Sequence, residues 1–167
     1  ITCLSPAKSF NIAACCSAFV IVPDPVRREA FQVENSRLTV NKNNAFASVA
    51  MEAAYQRGGP WLDAVRAYIQ GNLSLVRARI ADVPEVSLIE PEGTFLLWLD
   101  FRSLTREPDQ LTQFLRQKAR WALTRGIAFG DNGAGFGRLN IACPRARLDQ
   151  ALDSLIKAIQ KNRETQT

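Results

Sequence analysis

Residues 61–83, WLDAVRAYIQGNLSLVRARIADV, carry apolar side chains at intervals of three and four residues, which is the spacing of one helix face. Pro60 stands where a first helical turn accepts proline, and Pro84 follows the end of the pattern. The pattern predicts one long amphipathic helix that packs against a core. Its apolar members are Trp61, Val65, Tyr68, Ile69, Leu73, Val76 and Ile80.

The second half of the chain alternates such helices with pairs of strands, which predicts an α+β fold with helices packed on a small antiparallel or mixed sheet. The predicted elements are two strands around the turn Pro91-Glu92-Gly93 within residues 86–101, an amphipathic helix from Pro108 to Gly126, short strands at IAFGD (127–131) and FGRLNIAC (136–143), a helix over residues 145–160, and a frayed tail at ETQT (164–167).

The first 35 residues show a different sequence pattern, because they combine apolar strands with tight turns. This pattern is typical of the last strand-helix edge of a larger α/β domain. The domain boundary is predicted at residues 40–41, giving a remnant over 1–40 and a small domain over 41–167 that includes the long helix. The predicted elements are a strand at ITCLS, a short helix at SFNIAAC, a strand at AFVIVP, a helix or turn over 26–35, a loop at VNKNN (40–44), and a helix over 45–57 capped by Asn44 and ending at Gly58-Gly59.

Composition excludes several classes of protein. No apolar run reaches the roughly 18 residues of a membrane span, so no membrane partner is expected. The net charge of +5 comes from scattered arginines rather than a basic block, which argues against nucleic acid. Cys3, Cys15, Cys16 and Cys143 form no C-x-x-C pair and lie among apolar residues, which predicts reduced, buried thiols in a cytoplasmic protein.

Histidine is absent, which removes Ser-His-Asp and Cys-His catalysis and the commonest metal ligand. No metal site is predicted. Any chemistry must use lysine, carboxylate, tyrosine, serine or a cofactor.

Lys8 is the first candidate catalytic residue, because it follows a strand end and a Ser-Pro turn, where open α/β sheets hold ligands. A desolvated lysine becomes nucleophilic, as Schiff-base chemistry requires. The alternative is an ordinary surface lysine. Ser5 and Lys8 also form the S-x-x-K pattern of penicillin-binding proteins and β-lactamases, but the supporting S-D-N and K-T-G motifs are missing.

Arg138 is the second candidate, because an arginine within the apolar strand of GFGRLNIACPR should meet an anion. Its guanidinium fork suits a carboxylate. A salt bridge to one of the chain's own acids would satisfy it equally well.

Together these stretches resemble a known family. SPAKSFNIA resembles the pyridoxal-phosphate lysine segment of fold-type I enzymes. PEGTFLLWLDFR, FGDNGAGFGRLNIACPR and GGPWLDAVRAYIQGN resemble the carboxy-terminal part of class I/II aminotransferases, with the cystathionine β-lyase (C–S lyase) group as the nearest branch.

The resemblance implies pyridoxal 5′-phosphate as cofactor, with Lys8 as the Schiff-base lysine and general base. It implies that Ser5 contacts the cofactor phosphate and that Arg138 binds the α-carboxylate of an amino-acid substrate. The implied activity is C–S β-elimination to thiol, pyruvate and ammonia, or alternatively transamination, by a cytoplasmic homodimer.

The family's remaining cofactor contacts lie upstream of the lysine. Many relatives also carry a phosphate-binding arginine shortly after the lysine, and this sequence has no arginine between Lys8 and Arg27. The chain begins with Ile1 and has Met51 as its only methionine. We therefore expect a fragment of the enzyme that is inactive by itself. The rival reading is a non-catalytic aminotransferase-like module for regulation or protein interaction. An upstream cofactor-binding half would favour the enzyme, and a start codon just before Ile1 would favour the module.

Overall fold

The computed structural model describes residues 1–42 and 44–166. It divides into two compact units, Ile1–Arg66 and a second that begins at Ala67, so that the division falls inside the long helix. The predicted α+β class is confirmed. The predicted boundary at residues 40–41 stays a prediction.

The first unit contains a two-stranded antiparallel sheet, β1 (Thr2–Leu4) and β2 (Phe19–Ile21), with Cys3 opposite Val20. A 3-10 turn (Ala13–Cys15) lies between the strands, and the helices α1 (Pro25–Arg37) and α2 (Ala45–Arg57) follow them. The predicted cap is confirmed, because Asn44 Oδ1 accepts a 2.8 Å hydrogen bond from the Ala47 amide. The predicted loop at residues 40–44 includes Asn43, which lies outside the described residues.

Helix α3 (Gly59–Ile80) confirms the predicted long helix. It leads into the second unit, whose four strands form an antiparallel sheet in the order Ser87–Ile89, Leu96–Asp100, Phe136–Asn140 and Thr124–Arg125. Its elements are β3 (Ser87–Ile89), β4 (Leu96–Asp100), α4 (Pro108–Gln113) with a π-helical turn (Phe114–Lys118), β5 (Thr124–Arg125), two 3-10 turns (Gly126–Phe129 and Asp131–Gly133), β6 (Phe136–Asn140) and α5 (Arg145–Gln166).

The core of the second unit lies on one face of this sheet. Leu97 and Leu99 of β4 are buried there, whereas Trp98 and Asp100, which alternate with them, face the other way. The helical side of the core is supplied by α3 and α5, through Leu73, Val76, Ile80, Leu148, Leu152, Leu155 and Ile159. The outward face of the sheet is thus left to carry the aromatic and charged side chains.

Two predicted elements between residues 108 and 131 are wrong. The helix from Pro108 stops well before Gly126, because Arg120 adopts a left-handed backbone (φ 57°) and the buried Trp121 bonds through Nε1 to the Ala151 carbonyl at 2.7 Å. IAFGD is not a strand, because residues 126–129 curl into a 3-10 turn and Gly130 has φ 117°. The strand of this region is the shorter β5.

Three smaller predictions also need correction. The tail is helical rather than frayed through residue 166, with the Thr165 hydroxyl donating to the Lys161 carbonyl at 2.9 Å; Thr167 lies outside the described residues. Trp61 and Tyr68 are exposed, because only the later half of α3 meets the core. The cysteines are free as predicted but not buried, because β1 and the turn that carry three of them leave their residues largely exposed.

Candidate active site

Lys8 lies in a compact turn directly after β1. The Phe10 amide donates to the Pro6 carbonyl at 3.0 Å and the Ile12 amide donates to the Ala7 carbonyl at 3.1 Å. Pro6 is buried, whereas Lys8 is exposed between the small residues Ala7 and Ser9. The turn therefore fixes the backbone at Lys8 and leaves its amino group accessible to a reagent in solution.

Ser5 opens the same turn. Its Oγ accepts a 3.2 Å hydrogen bond from the Ala7 amide and donates a 2.8 Å hydrogen bond to the Ser17 carbonyl. A hydroxyl has one proton to donate. Ser5 can therefore donate to an anion only after it rotates away from Ser17.

An aromatic group, which the motifs did not indicate, supports the turn. The ring centroid of Phe10 lies 5.8 Å from that of Tyr55, edge to face, and 6.4 Å from that of Trp61. A side chain at residue 58 would collide with the Phe10 ring, so glycine is required there by space. The aromatic residue in SFNIA was the only sequence signal for this contact.

Arg138 lies at the centre of β6 in the second unit, opposite Trp98 on one side and Thr124 on the other. Its Nη2 donates to the Thr124 hydroxyl at 3.4 Å, which is long for such a bond. Its guanidinium carbon lies 4.8 Å from the ring centroid of Phe129. Within residues 1–42 and 44–166, no carboxylate lies within 4.0 Å of it. The salt bridge left open by the sequence is thus not formed.

Arg102, on the same face of the sheet, is an arginine whose N–H donors already bind a carboxylate. Its carbon lies 4.7 Å from the Phe136 ring, and its Nε and Nη2 donate to the carboxylate of Asp100 at 3.0 and 2.7 Å. These bonds hold the pKa of Asp100 below its usual value. Arg138 has the same aromatic contact without the carboxylate, so its fork can accept an anion from outside the described chain.

Trp98 joins the two arginine-aromatic pairs. Its ring stacks on Phe136 with a centroid distance of 5.6 Å and meets Phe129 edge-on at 5.4 Å. Neither Trp98 nor Phe129 was singled out from the sequence. The alternation of side chains along β4 predicts that Trp98 faces away from the core. The contacts of Phe129 depend on the 3-10 turn at Gly126–Phe129, where the sequence predicted a strand.

The structure distributes the predicted site residues over both units. Ser5 and Lys8 belong to one turn of the first unit, and Arg138 belongs to the second. A cavity of about 20 Å³ lies beside β6, and an open apolar groove of about 650 Å³ lies between α2 and the two strands of the first unit. Neither is lined by Ser5, Lys8 or Arg138.

Among the described residues, no group of three or more cysteine, aspartate or glutamate side chains could hold a metal ion. In the same part of the chain, no helix is both long and apolar enough to cross a membrane.

Comparisons with known proteins agree with the motifs. No protein-family model matches the chain. The chain is 36% identical over 160 residues to cystathionine beta-lyase PatB of Bacillus subtilis (strain 168) and 37% identical over 158 residues to protein MalY of Escherichia coli (strain K12). These alignments cover 95% and 93% of the chain but 41% and 40% of the relatives, so the chain spans about two fifths of their length.

A solved structure gives the same result. The crystal structure of a PLP-bound putative aminotransferase from Clostridium difficile 630 matches with a TM-score of 0.88 and 37% identity, over 94% of this chain and 41% of that one. Sequence and fold therefore show that the chain corresponds to one part of the PLP-dependent proteins that have the aminotransferase fold. Over nearly its whole length the chain is similar to proteins of the cystathionine β-lyase and C–S lyase branch, as the resemblance predicted.

Proposed function

We propose that this chain is the part of a pyridoxal-phosphate enzyme that carries the cofactor lysine, Lys8, and the substrate-binding arginine, Arg138. The observation that carries the proposal is the state of Arg138, an arginine supported by an aromatic ring with no carboxylate among the described residues to fill its fork. The α-carboxylate of an amino acid supplies that anion.

The residues of the first unit fit the cofactor. Pyridoxal phosphate is an aldehyde and needs an accessible amine, and Lys8 is exposed on a fixed turn. Ser5 is close enough along the turn to serve the phosphate, provided that its hydroxyl leaves Ser17. When bound, the cofactor supplies an electron sink for the bond that breaks at the α-carbon.

The chain's own residues then have distinct tasks. Arg138 binds the α-carboxylate with two N–H donors and so fixes which α-bond faces the cofactor. The amine of Lys8, once unprotonated, takes the α-proton as general base. In β-elimination the electron pair of the C–S bond leaves with the sulfur, which is protonated to the thiol, and the remaining fragment takes up water to give pyruvate and ammonia.

A C–S β-lyase acting on cystathionine-like substrates is the favoured activity, because PatB is named a cystathionine beta-lyase. An aminotransferase is the second candidate, because the Clostridium protein is described as a putative aminotransferase. In a transaminase Lys8 would still move the α-proton, but no C–S bond would break and the amino group would pass to a 2-oxo acid.

The test uses the intact enzyme that contains this chain, supplied with L-cystathionine. We expect pyruvate and thiol in equal amounts, and loss of both with Lys8→Ala. Arg138→Met should raise KM at least about 30-fold, as the loss of a hydrogen-bonded charge partner does. Arg106→Met, at another exposed arginine, is the matched control.

Three outcomes would change the conclusion. Amino-group transfer to a 2-oxo acid without thiol release would select the aminotransferase. No reaction of either kind would favour a non-catalytic module. β-Elimination by the 167-residue chain alone, above the rate of free cofactor, would contradict our expectation that the chain alone is inactive.

We further propose that the intact enzyme is a cytoplasmic homodimer. Val26, Leu38 and Phe46 of the first unit are 75%, 66% and 83% exposed, and a second copy would cover such apolar surface. The free cysteines suit a reducing compartment. Light scattering on the purified enzyme should give twice the subunit mass, and a monomer at micromolar concentration would exclude the dimer.

A further inference from the structure

Phe129 has no role in the activity so far described, yet it is 55% exposed and lies under the guanidinium of Arg138. More than half of its surface is exposed, so burial accounts for only part of its placement. The distance of 4.8 Å between its ring centroid and the guanidinium carbon of Arg138 is that of a cation–π pair.

The turn that carries Phe129 is held from both sides. A Cβ on Gly126 or on Gly133 would lie less than 3.0 Å from the carbonyl oxygen of the other, so the two backbone segments touch and tolerate only glycine. At the end of the loop, Gly135 has φ 81° and its carbonyl accepts a 2.8 Å hydrogen bond from the Phe101 amide of the neighbouring strand segment. The loop thus presents the ring in one place.

Trp98 fixes the ring itself, because it meets Phe129 edge-on at 5.4 Å between centroids. The face of Phe129 toward Arg138 is thereby left for the cation. An aromatic ring carries no carboxylate oxygen to accept the fork's N–H donors, so this contact leaves them available for an anion. Among residues 1–42 and 44–166, the hydroxyl of Thr124 is the one hydrogen-bond acceptor that engages them, and it takes a single N–H at 3.4 Å.

We propose that Phe129 is a positioning residue, which orients the guanidinium of Arg138 for a carboxylate without consuming its donors. The inference rests on the proposed function of Arg138. Arg102 supplies the contrast, since it has the same ring contact but its donors are taken by Asp100. Phe129 touches neither substrate nor cofactor in this role and acts through Arg138.

The first test uses the intact enzyme that contains this chain and needs no activity. Side-chain NMR of arginine labelled with nitrogen-15 should show the Nε–H signal of Arg138 displaced by the ring current of Phe129. Phe129→Leu should move that signal to the position of an unstacked arginine and leave the Arg102 signal in place. An unchanged Arg138 signal would overturn the proposal.

The second test measures KM and kcat of the intact enzyme with L-cystathionine. Phe129→Leu should raise KM about 2- to 30-fold, the range of a cation–π pair, with kcat nearly unchanged because ground state and transition state lose the contact equally. Phe129→Trp keeps an aromatic face and should stay close to wild type. Phe31→Leu, the same change at a half-buried phenylalanine of helix α1 in the first unit, is the matched control.

The outcomes separate this inference from the proposed function. If Arg138→Met raises KM but Phe129→Leu does not, Arg138 keeps its role and the positioning role is wrong. If Phe129→Leu and Phe129→Trp raise KM equally, the ring acts by shape and the proposal also fails. If Arg138→Met leaves KM unchanged, the proposed role of Arg138 falls and this inference falls with it.

Discussion

The side-chain oxygen of Asn72 accepts a 3.0 Å hydrogen bond from Nε of Arg145, 73 residues further along the chain. The amide nitrogen of Asn72 donates to the carbonyls of Ile141 and Cys143 at 2.8 and 3.0 Å. Asn72 is completely buried and fully satisfied. Asn72 therefore connects helix α3 by hydrogen bonds to the segment after β6. Strand β6 carries Arg138.

Replacement of Asn72 by alanine should lower the free energy of unfolding by about 2 to 4 kcal/mol, because buried carbonyls lose their donor. Urea denaturation followed by circular dichroism measures the change. Gln70→Ala, at an exposed position of the same helix, should change stability by less than about 0.5 kcal/mol. Equal effects of the two variants would show that the buried network adds little.

The paired glycines of the 126–133 loop give a second prediction. Gly126→Ala should destabilise the protein by about 1 to 3 kcal/mol, because the new methyl group meets the Gly133 carbonyl and the Phe136 backbone. A Cβ on Gly93 meets nothing within 4 Å, so Gly93→Ala is the matched control and should be close to neutral. The melting temperatures of the two variants decide the point, and a neutral Gly126→Ala would contradict the close contact.

The pair of Asp100 and Arg102 predicts a dependence of stability on pH. Hydrogen bonds from Arg102 lower the pKa of Asp100 in the folded protein. Asp100 therefore stabilises the fold fully above the unfolded-state pKa of about 4, and this contribution is lost as the pH falls through the lowered folded-state pKa.

The difference in unfolding free energy between wild type and Asp100→Asn should accordingly be largest near neutral pH and shrink in strong acid. Guanidinium denaturation at a series of pH values measures it. Asp82→Asn, at an exposed aspartate of the same unit, should show a difference that stays small throughout. A pH-independent difference for Asp100→Asn would rule out the ion pair as its source.

The predictions from sequence succeeded where a local pattern determines the structure. The apolar spacing of α3, the Asn44 cap and the two strands around Pro91-Glu92-Gly93 are all local signals. They failed at residues 119–131, where Trp121 is buried against α5, 30 residues further along, and where Gly126 packs against Gly133 across the loop. Propensity over a short window carries no information on such contacts.

For the candidate site, the sequence indicated the charged residues and missed the aromatic side chains that lie beside Arg138. Lys8 and Arg138 were recognisable from motifs, whereas Phe129 and Trp98 look like ordinary apolar residues until the sheet brings them beside Arg138. The engagement of the Ser5 hydroxyl by Ser17 is also a tertiary contact, between residues 12 positions apart. The roles of Ser5, Lys8 and Arg138 stay predictions.

Borohydride trapping tests the central claim, that Lys8 is the cofactor lysine, most directly. The intact enzyme is incubated with pyridoxal phosphate, reduced and digested, and the added mass is located by mass spectrometry. Lys42, Lys118, Lys157 and Lys161 are the other lysines of this chain and act as internal controls. We predict a single pyridoxyl label on Lys8, lost in Lys8→Arg. Labelling spread evenly over all five lysines, with Lys8 no more reactive than the rest, would contradict the account.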